Sequence, residues 1–469
     1  MAPVFLIVII AVFAVYFDFS RITKKSSPKE RCRSIFNPNG IIRILILYLV
    51  LLLLQGYRNL APRMISFMIT FAFTTFVVFG STLLFLDRLR DRYDSKTVYS
   101  LWLLPNVLYF VYYWVSATPA FRPLFVFTID HDNLFLIVLL IWLFISGVLF
   151  LKSIISHIRF RRKLDENLYA LNDEHILELW NRRQDAYEIK ERKRIPLFTS
   201  PSLSSPVTVG VRNIILVLPE KKYSDEDLEL IFDHELVHII REDGITKFYL
   251  SLCRAFNFFN PFIYIGTKKC SQDIELACDE IVLLDTDEEK RIKYGDLILS
   301  SIQETQGFTS CLSADAQSLK YRLTNVIHPK EKKNGKILLS VCTLLVLLIP
   351  SLLFGTAYNR QRAGDLFFNG NIDYENMTIR KERLNEYDIY QNPDKERMID
   401  YLNDLEAYEI YASEIFDGNY IDIVFTKNDI SYMFSFNQHY IVFRRGNETK
   451  VYYVKNTIDM EYIEELCKL

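Results

Sequence analysis

The chain has 469 residues, half of them hydrophobic, and a mean hydropathy of +0.09, which sets it apart from a simple soluble enzyme. With 55 Lys plus Arg against 57 Asp plus Glu, the net charge is −2 and there is no global basic footprint, so direct nucleic-acid binding is set aside. The seven cysteines (Cys32, Cys253, Cys270, Cys278, Cys311, Cys342, Cys467) show no CxxC spacing, which excludes a thiolate zinc site, a paired redox motif and a disulfide framework.

In chain order, long apolar stretches occur at 3–18, 41–55, 64–86, 98–117, 133–154 and 337–357, several of them reaching the ~20 residues that cross hydrocarbon, and we read them as six spans. The first two are short and the fourth is interrupted by Pro105 and Asn106, so interfacial, tilted or kinked arrangements stay open for these three. Met1-Ala2-Pro3 carries no basic side chain and no small-x-small site precedes Ser20, so the first stretch reads as an uncleaved span rather than a secretory signal. Basic clusters after the first span (Arg21, Lys24, Lys25, Lys29, Arg31, Arg33), the third (Arg88, Arg90, Arg92, Lys96) and the fifth (Arg159, Arg161, Arg162, Lys163), and before the last (Lys330, Lys332, Lys333, Lys336), place those loops in the cytosol. Arg58 and Arg63, between the second and third spans, are exceptions on the outer side. The chain then divides into an N-terminal pair of spans (1–63), three spans (64–154), a cytosolic domain (155–336), a last span (337–357) and an extracellular tail (358–469).

The tail holds 13 Lys plus Arg against 21 Asp plus Glu, a net of −8 that leaves +6 for the rest of the chain. It opens with a charged helical region through 396–402 and continues with the alternating segments 420–425, 432–436 and 451–454, which predict a small antiparallel sheet with helices. Sequons at Asn376 and Asn447 are short patterns of little weight.

The cytosolic domain carries the chemistry. Ser224 followed by Asp227 makes a capping box, acids crowd the first turn and Gly244 stands at the stop, predicting one helix over 224–243. It contains His234-Glu235-Leu236-Val237-His238, an HExxH pattern whose histidines, at i and i+4, share a face and can both reach a tetrahedral zinc, with Glu235 placed between them as general base toward water. Asn260-Pro261 starts a second helix, running through Glu275-Leu276-Ala277-Cys278-Asp279 to 284; Glu275 supplies a third ligand and Asp279, one turn on, accepts a hydrogen bond from a ligand histidine's outer nitrogen. The bland alternative for the histidines is core packing, and Cys278 reads as a small buried residue rather than a ligand. His131, between Asp130 and Asp132, reads as part of an exposed polar loop.

With these motifs the chain resembles the BlaR1/MecR1-type membrane metallopeptidases, family M56, over roughly 64–357. The likeness runs through Ser205-Pro206-Val207-Thr208-Val209-Gly210, Leu216-Val217-Leu218-Pro219, HELVH, Asn260-Pro261 and ELACD at 275–279, with three spans before the cytosolic domain and one after. The M48 peptidases share HExxH and a downstream glutamate, but ELACD and the span order favour M56. The resemblance implies a multi-span α-helical membrane protein with a cytosolic α+β, gluzincin-like zinc endopeptidase domain and a small extracellular α+β domain, in a bacterial membrane. It carries over His234, His238 and Glu275 as zinc ligands, Glu235 as general base and Asp279 as their support. Antibiotic sensors of this family append a penicillin-binding domain with an SxxK nucleophile, whereas 358–469 contains neither SxxK nor KTG, so acylation by β-lactams is not expected.

The expected partners are a cytosolic protein substrate (a transcriptional repressor or the chain itself), an unidentified extracellular ligand and the bilayer; a homodimer stays open. The 305–336 segment, with Ser318-Leu319-Lys320-Tyr321-Arg322, reads either as the place of self-cleavage, as the resemblance allows, or as a plain linker. Val207–Leu218 reads as strand-like, beside the active-site helix, where it could pair with extended substrate. The competing reading is a non-catalytic zinc-binding receptor or scaffold, which Glu235 argues against. A transporter is the weaker third, since the spans hold few ionisable residues and no repeat.

Overall fold

The computed structural model describes residues 27–32, 57–107, 125–128, 132–210, 213–303, 312–363, 377–383, 386–390, 394–410, 420–427, 430–445 and 448–468. The expected spans at 3–18 and 41–55, residues 108–117 of the fourth and Cys311 lie outside them.

Among the described residues, one helix is long and apolar enough to cross a membrane: the segment Ile137–Asp165 of α4 (Asp132–Asp165). A second candidate is a bent pair, α1 (Tyr57–Leu84) and α2 (Leu86–Arg92), which meet at 67°. Within α1 the buried hydroxyls of Thr74 and Thr75 donate to the carbonyls of Thr70 and Phe71 one turn back. The expected fourth span begins as α3 (Ser95–Leu103), capped by Asp94, and then tightens into a 3₁₀ turn at Leu104–Val107, where Pro105 stands. Eight of the nine residues of α3 are buried, so this helix is part of the protein core.

The region after α4 begins with a four-stranded sheet in the order β2 (Tyr169–Ala170), β3 (Leu197–Ser200), β5 (Ile215–Pro219), β4 (Val207–Val209). All five residues of β5 are buried, as a central strand covered on both faces requires. The strand-like run 207–218 is thus two antiparallel strands, which separate after Gly210; its φ of 114° belongs to glycine, and an added Cβ would meet the Asn213 carbonyl at 2.3 Å. Helices α5 (Glu174–Ala186), α6 (Asp225–Ile240), α7 (Asp243–Phe256), α8 (Pro261–Val282), α9 (Glu288–Gln303) and α10 (Leu312–Ile327) follow. Residues 312–327 are therefore helical rather than a plain linker, and α10 packs against α9 through Leu319, Leu323 and Tyr294.

Helix α8 is the hub. Its Gly266 lies against the rings of Phe79 and Trp102, where an added Cβ would come within 2.1 Å of Phe79, so only glycine allows α8 and α1 this close. Two turns later, the fully buried Asp273 accepts from Arg90 Nε at 2.6 Å and from Trp102 Nε1 at 2.9 Å. At the end of α8, Glu280 accepts from the Ser95 backbone and hydroxyl.

Helix α11 (Lys336–Leu353) stops four residues before the expected end of the last span, and β6 (Phe354–Arg362) starts directly, so the tail opens with a strand rather than with its helix. Its sheet has nine strands, in the order β1-β6-β9-β13-β12-β11-β10-β7-β8, larger than the alternating segments alone suggest. Strands β10 (Tyr420–Lys427), β11 (Ile430–Phe436) and β13 (Glu448–Val454) fall where the alternation places them. They are joined by β7 (Thr378–Arg383), β8 (Glu386–Ile389), β9 (Glu406–Ile410) and β12 (Tyr440–Arg445). Helices α12 (Lys395–Asn403) and α13 (Met460–Lys468) bury Ile399, Leu402, Ile463 and Leu466 against Ile421, Ile423, Phe434 and Phe436. The outermost strand, β1 (Phe125–Thr128), comes from the connection ahead of α4 and pairs in parallel with β6.

Asp273→Ala would leave the Arg90 guanidinium and the Trp102 N–H buried without a partner, and a broken buried pair costs about 3–5 kcal/mol. Thermal unfolding of the full chain in detergent should show a midpoint lowered by several degrees; an unchanged midpoint would refute the hub role of this residue.

Candidate metal centre

The capping box forms as expected, with the Ser224 hydroxyl accepting from Asp227 N and the Asp227 carboxylate from Ser224 N. Helix α6 then presents His234 and His238 on one face. It ends at Ile240, three residues earlier than predicted, because Glu242 takes a left-handed backbone (φ 58°) and α7 starts at Asp243, which puts Gly244 inside α7 rather than at the stop. This turn brings Asp243 back toward α6.

The outer nitrogens of both histidines are taken. His238 Nδ1 donates to Asp243 Oδ2 at 2.6 Å. His234 Nδ1 lies 2.7 Å from the hydroxyl of Tyr294, which donates to Asp279 Oδ1 at 2.7 Å. Burial and the neighbouring Asp279 hold the phenol well above its ordinary pKa, so it keeps the single proton it gives to Asp279 and must accept from the imidazole. These partners assign both rings the tautomer with a bare Nε2. The two Nε2 atoms are 3.1 Å apart, and two lone pairs at that distance repel unless a positive species lies between them.

Glu275 Oε2 closes the triangle, 3.6 Å from His234 Nε2 and 3.5 Å from His238 Nε2. Ligands at tetrahedral angles on an ion with bonds of about 2.0–2.1 Å stand roughly 3.3–3.4 Å apart, so the three atoms fit one face of such a site. The surroundings favour positive charge at this place, carried by the rings themselves when no ion is bound. Burial would lower the His234 pKa, yet Cys278 and Glu275 raise it to about 10; burial would raise that of Glu275, yet His238, His234 and Arg322 hold it well below the carboxylate range. The residues present suit a divalent ion.

His234, His238 and Cys278 also bring one ligand atom apiece within 4.8 Å of one another. The Cys278 sulfur, however, lies 3.3 Å from His234 Nδ1 and 3.4 Å from the His234 carbonyl, along the ring edge away from Nε2, and it is fully buried. Glu275, which faces both Nε2 atoms, is the better third ligand.

Asp279 sits elsewhere than expected. It is 3.8 Å from His234 Nδ1, reaches the ring through Tyr294, and is gripped by Arg322 through Nε at 2.6 Å and Nη2 at 2.8 Å. The carboxylate in direct contact with a histidine is Asp243. Glu235, 8% exposed, accepts from the Thr208 hydroxyl on β4. Tyr294, Asp243, Thr208 and the bidentate Arg322 were not singled out by the sequence; the one signal available was an acid five residues beyond His238. The exposed His175, paired with Asp225, belongs to no such cluster.

Tyr294→Phe keeps the ring but removes the oxygen that fixes the His234 tautomer. Outer partners of this kind are worth about 10- to 100-fold in metal affinity. Zinc competition against a chelator should show that loss; equal affinity would remove Tyr294 from the centre.

Residues 123–326 match the model of the family described as BlaR1 peptidase M56, a narrower stretch than the motifs alone suggest. The chain is 28% identical to the regulatory protein BlaR1 of Bacillus licheniformis over 184 residues, 39% of this chain and 30% of that protein. It is 24% identical to the methicillin resistance mecR1 protein of Staphylococcus aureus over 350 residues, 68% of this chain and 56% of that one. With the regulatory protein BlaR1 of Staphylococcus aureus it shares 24% over 233 residues, 47% of this chain and 38% of the other. The chain thus spans between about a third and somewhat over half the length of these relatives. The family segment contains every centre residue from Thr208 to Arg322. Over residues 123–326, the chain is thus similar to the BlaR1/MecR1 type of metallopeptidase family M56.

Proposed function

We propose that this chain is a multi-span membrane zinc endopeptidase that hydrolyses peptide bonds in a cytosolic protein when its extracellular tail receives a signal. The observation that carries the reading is the placement of Glu235. It stands between two histidines whose bare nitrogens converge, in a cleft of about 340 Å³ that they line together with Val207, Thr208 and Glu275. A receptor that only held an ion structurally would have no use for a carboxylate there.

Bound zinc would polarise the scissile carbonyl and acidify the attacking water. The rest falls to the chain's own side chains. Thr208 orients the Glu235 carboxylate, which takes the water proton and passes it to the leaving amine. Asp243 and the Tyr294–Asp279 pair keep the two imidazoles turned inward. Glu235→Gln should retain zinc and lose cleavage by about 10²- to 10⁴-fold. New protein N-termini present in cells with the wild type and absent with the variant would identify the substrate. Matching lists under inducing conditions, with zinc in both proteins, would favour the receptor reading.

Substrate enters as a strand in this reading. β4 is the edge of its sheet and lines the cleft, so its outward backbone can pair with an extended peptide. The carbonyl of Val209 is already taken by Arg161 and its side chain is buried, so Val207 is the position to probe. Val207→Pro should abolish cleavage with zinc retained; full cleavage by this variant would dismiss strand pairing. The same geometry favours a separate protein, such as a repressor, over cleavage at 318–322. That stretch lies in α10, would have to unwind, and holds Arg322, which grips Asp279. Sidedness follows the basic end of α4, with Arg159, Arg161, Arg162 and Lys163 in the cytosol and the tail beyond α11 outside.

A further inference from the structure

We propose a binding site for the headgroup of an anionic phospholipid between α4, α7 and α8, on the membrane side of the metal centre. An open cleft of about 390 Å³ lies there, and its wall combines Lys247, Arg254 and Lys268 with the hydroxyls of Ser153, Ser251, Thr267, Ser271 and Tyr264. No carboxylate lines it. The hydroxyls of Ser251, Tyr264, Thr267 and Ser271 donate to acceptors of the protein itself, so the three cations are what would receive a phosphate, and a guanidinium is its best single partner.

The cleft sits at the level where headgroups belong. On α4, residues 137–151 carry no charged side chain, and the next residue is Lys152, followed by Ser153 in the cleft wall. Helix α7 lies along this part of α4: Phe248 packs on Phe150 with ring centroids 5.1 Å apart, and the Ser251 hydroxyl donates to Ser153 at 2.7 Å. Its C-terminal end reaches Trp142, whose Nε1 donates to the Phe256 carbonyl. Arg254, between Ser251 and Phe256, therefore lies alongside the last apolar turns of α4, just short of its basic end, with its guanidinium 6.0 Å from the Tyr264 ring. Basic pockets between helices at that depth suit anionic lipid headgroups.

The flanks decide between a lipid and a free phosphate. Phe248 on α7, Tyr264 and Ile265 on α8, and Phe259 in the turn between them are 38–54% exposed. Solvated, these rings would be costly; acyl chains would cover them while the phosphate meets Arg254 and Lys268. Lys247 belongs to both sites, for its Nζ is 3.6 Å from Glu275 Oε1 and it lines both clefts. A headgroup that engages Lys247 draws charge from the ligand carboxylate, which links membrane composition to the centre. That link rests on the peptidase reading, whereas lipid retention does not.

The test is native mass spectrometry of the full chain in mild detergent, carrying Glu235→Gln so that no cleavage intervenes, with phosphatidylglycerol, phosphatidylcholine or inorganic phosphate added. Phosphatidylglycerol should be retained over phosphatidylcholine, and Arg254→Ala with Lys268→Gln should weaken that retention about thirtyfold, as loss of two basic contacts at roughly tenfold or somewhat less each implies. Arg254→Lys should hold the lipid within about threefold, and zinc content equal to that of the parent certifies that the variants are folded. Equal retention of phosphatidylglycerol by parent and double variant overturns the site. Displacement of the lipid by millimolar inorganic phosphate overturns the lipid assignment in favour of a soluble phosphate. If lipid is retained as expected while the wild type cleaves nothing, the site stands and the peptidase reading falls.

Discussion

Two imidazole nitrogens held 3.1 Å apart set the terms for the rest of the domain around them. Left to themselves, the rings would turn away or share a proton. Asp243 and the Tyr294–Asp279 pair prevent this by occupying the outer nitrogens, so the energy of the arrangement comes from three helices, α7, α8 and α9, pressing donors and acceptors onto α6. The early end of α6 follows from the same need. A helix running to residue 243 would carry Asp243 past the His238 ring, and the left-handed Glu242 turns it back.

Helix α8 transmits this centre to the membrane core. Within fifteen residues it carries Gly266 against Phe79 and Trp102, Asp273 against Arg90, Glu275 at the histidines, Asp279 under Arg322 and Glu280 on Ser95. The polar links are buried or half-buried, where the lower dielectric strengthens them and makes their loss costly. The segment after α10 is stitched to the same place: Lys333 N donates to the Arg92 carbonyl, Asp94 N donates to the Lys333 carbonyl, and Lys332 pairs with Glu280. Beyond it, α11 passes into β6 without a linker, and β6 pairs with β1, three residues ahead of α4. A movement of the tail sheet is therefore a movement of two membrane-proximal helices, one of which leads back to Glu280 on α8.

What the sequence made legible was local. The capping box at Ser224, the Asn260-Pro261 start, the i, i+4 histidines and the alternation in β10, β11 and β13 all depend on residues close in the chain, and each element stands where expected. What it hid depends on distance. Tyr294 is 60 residues from His234, and Arg322 is 43 from Asp279; neither spacing has a periodicity to betray it. The pairing of β1 with β6 joins residues more than two hundred positions apart, and the short β1 gives no alternation to read. Apolar content likewise could not separate a span from a core helix, as α3 shows: a buried helix inside protein and a helix inside lipid satisfy the same hydrophobic count.

The charges around the centre follow one rule with one exception. Asp243 faces Arg241 at 3.2 Å, Asp279 faces Arg322 at 2.6 Å, and Glu275 faces Lys247 at 3.6 Å and Arg322 at 3.7 Å, so each of these acids has a cation beside it. Among the described residues Glu235 forms no ion pair; its partner is the neutral hydroxyl of Thr208. A carboxylate locked to a guanidinium has its charge and its geometry committed, whereas one held by a single hydroxyl is positioned by one oxygen and left free to act with the other. In the proposed reaction the three paired acids would place ligands and hold helices, and the unpaired one would stand where a proton moves. The distinction comes from α10 and α7, which supply Arg322, Lys247 and Asp243. It is complete only when the chain reaches residue 322, four residues before the family segment ends at 326.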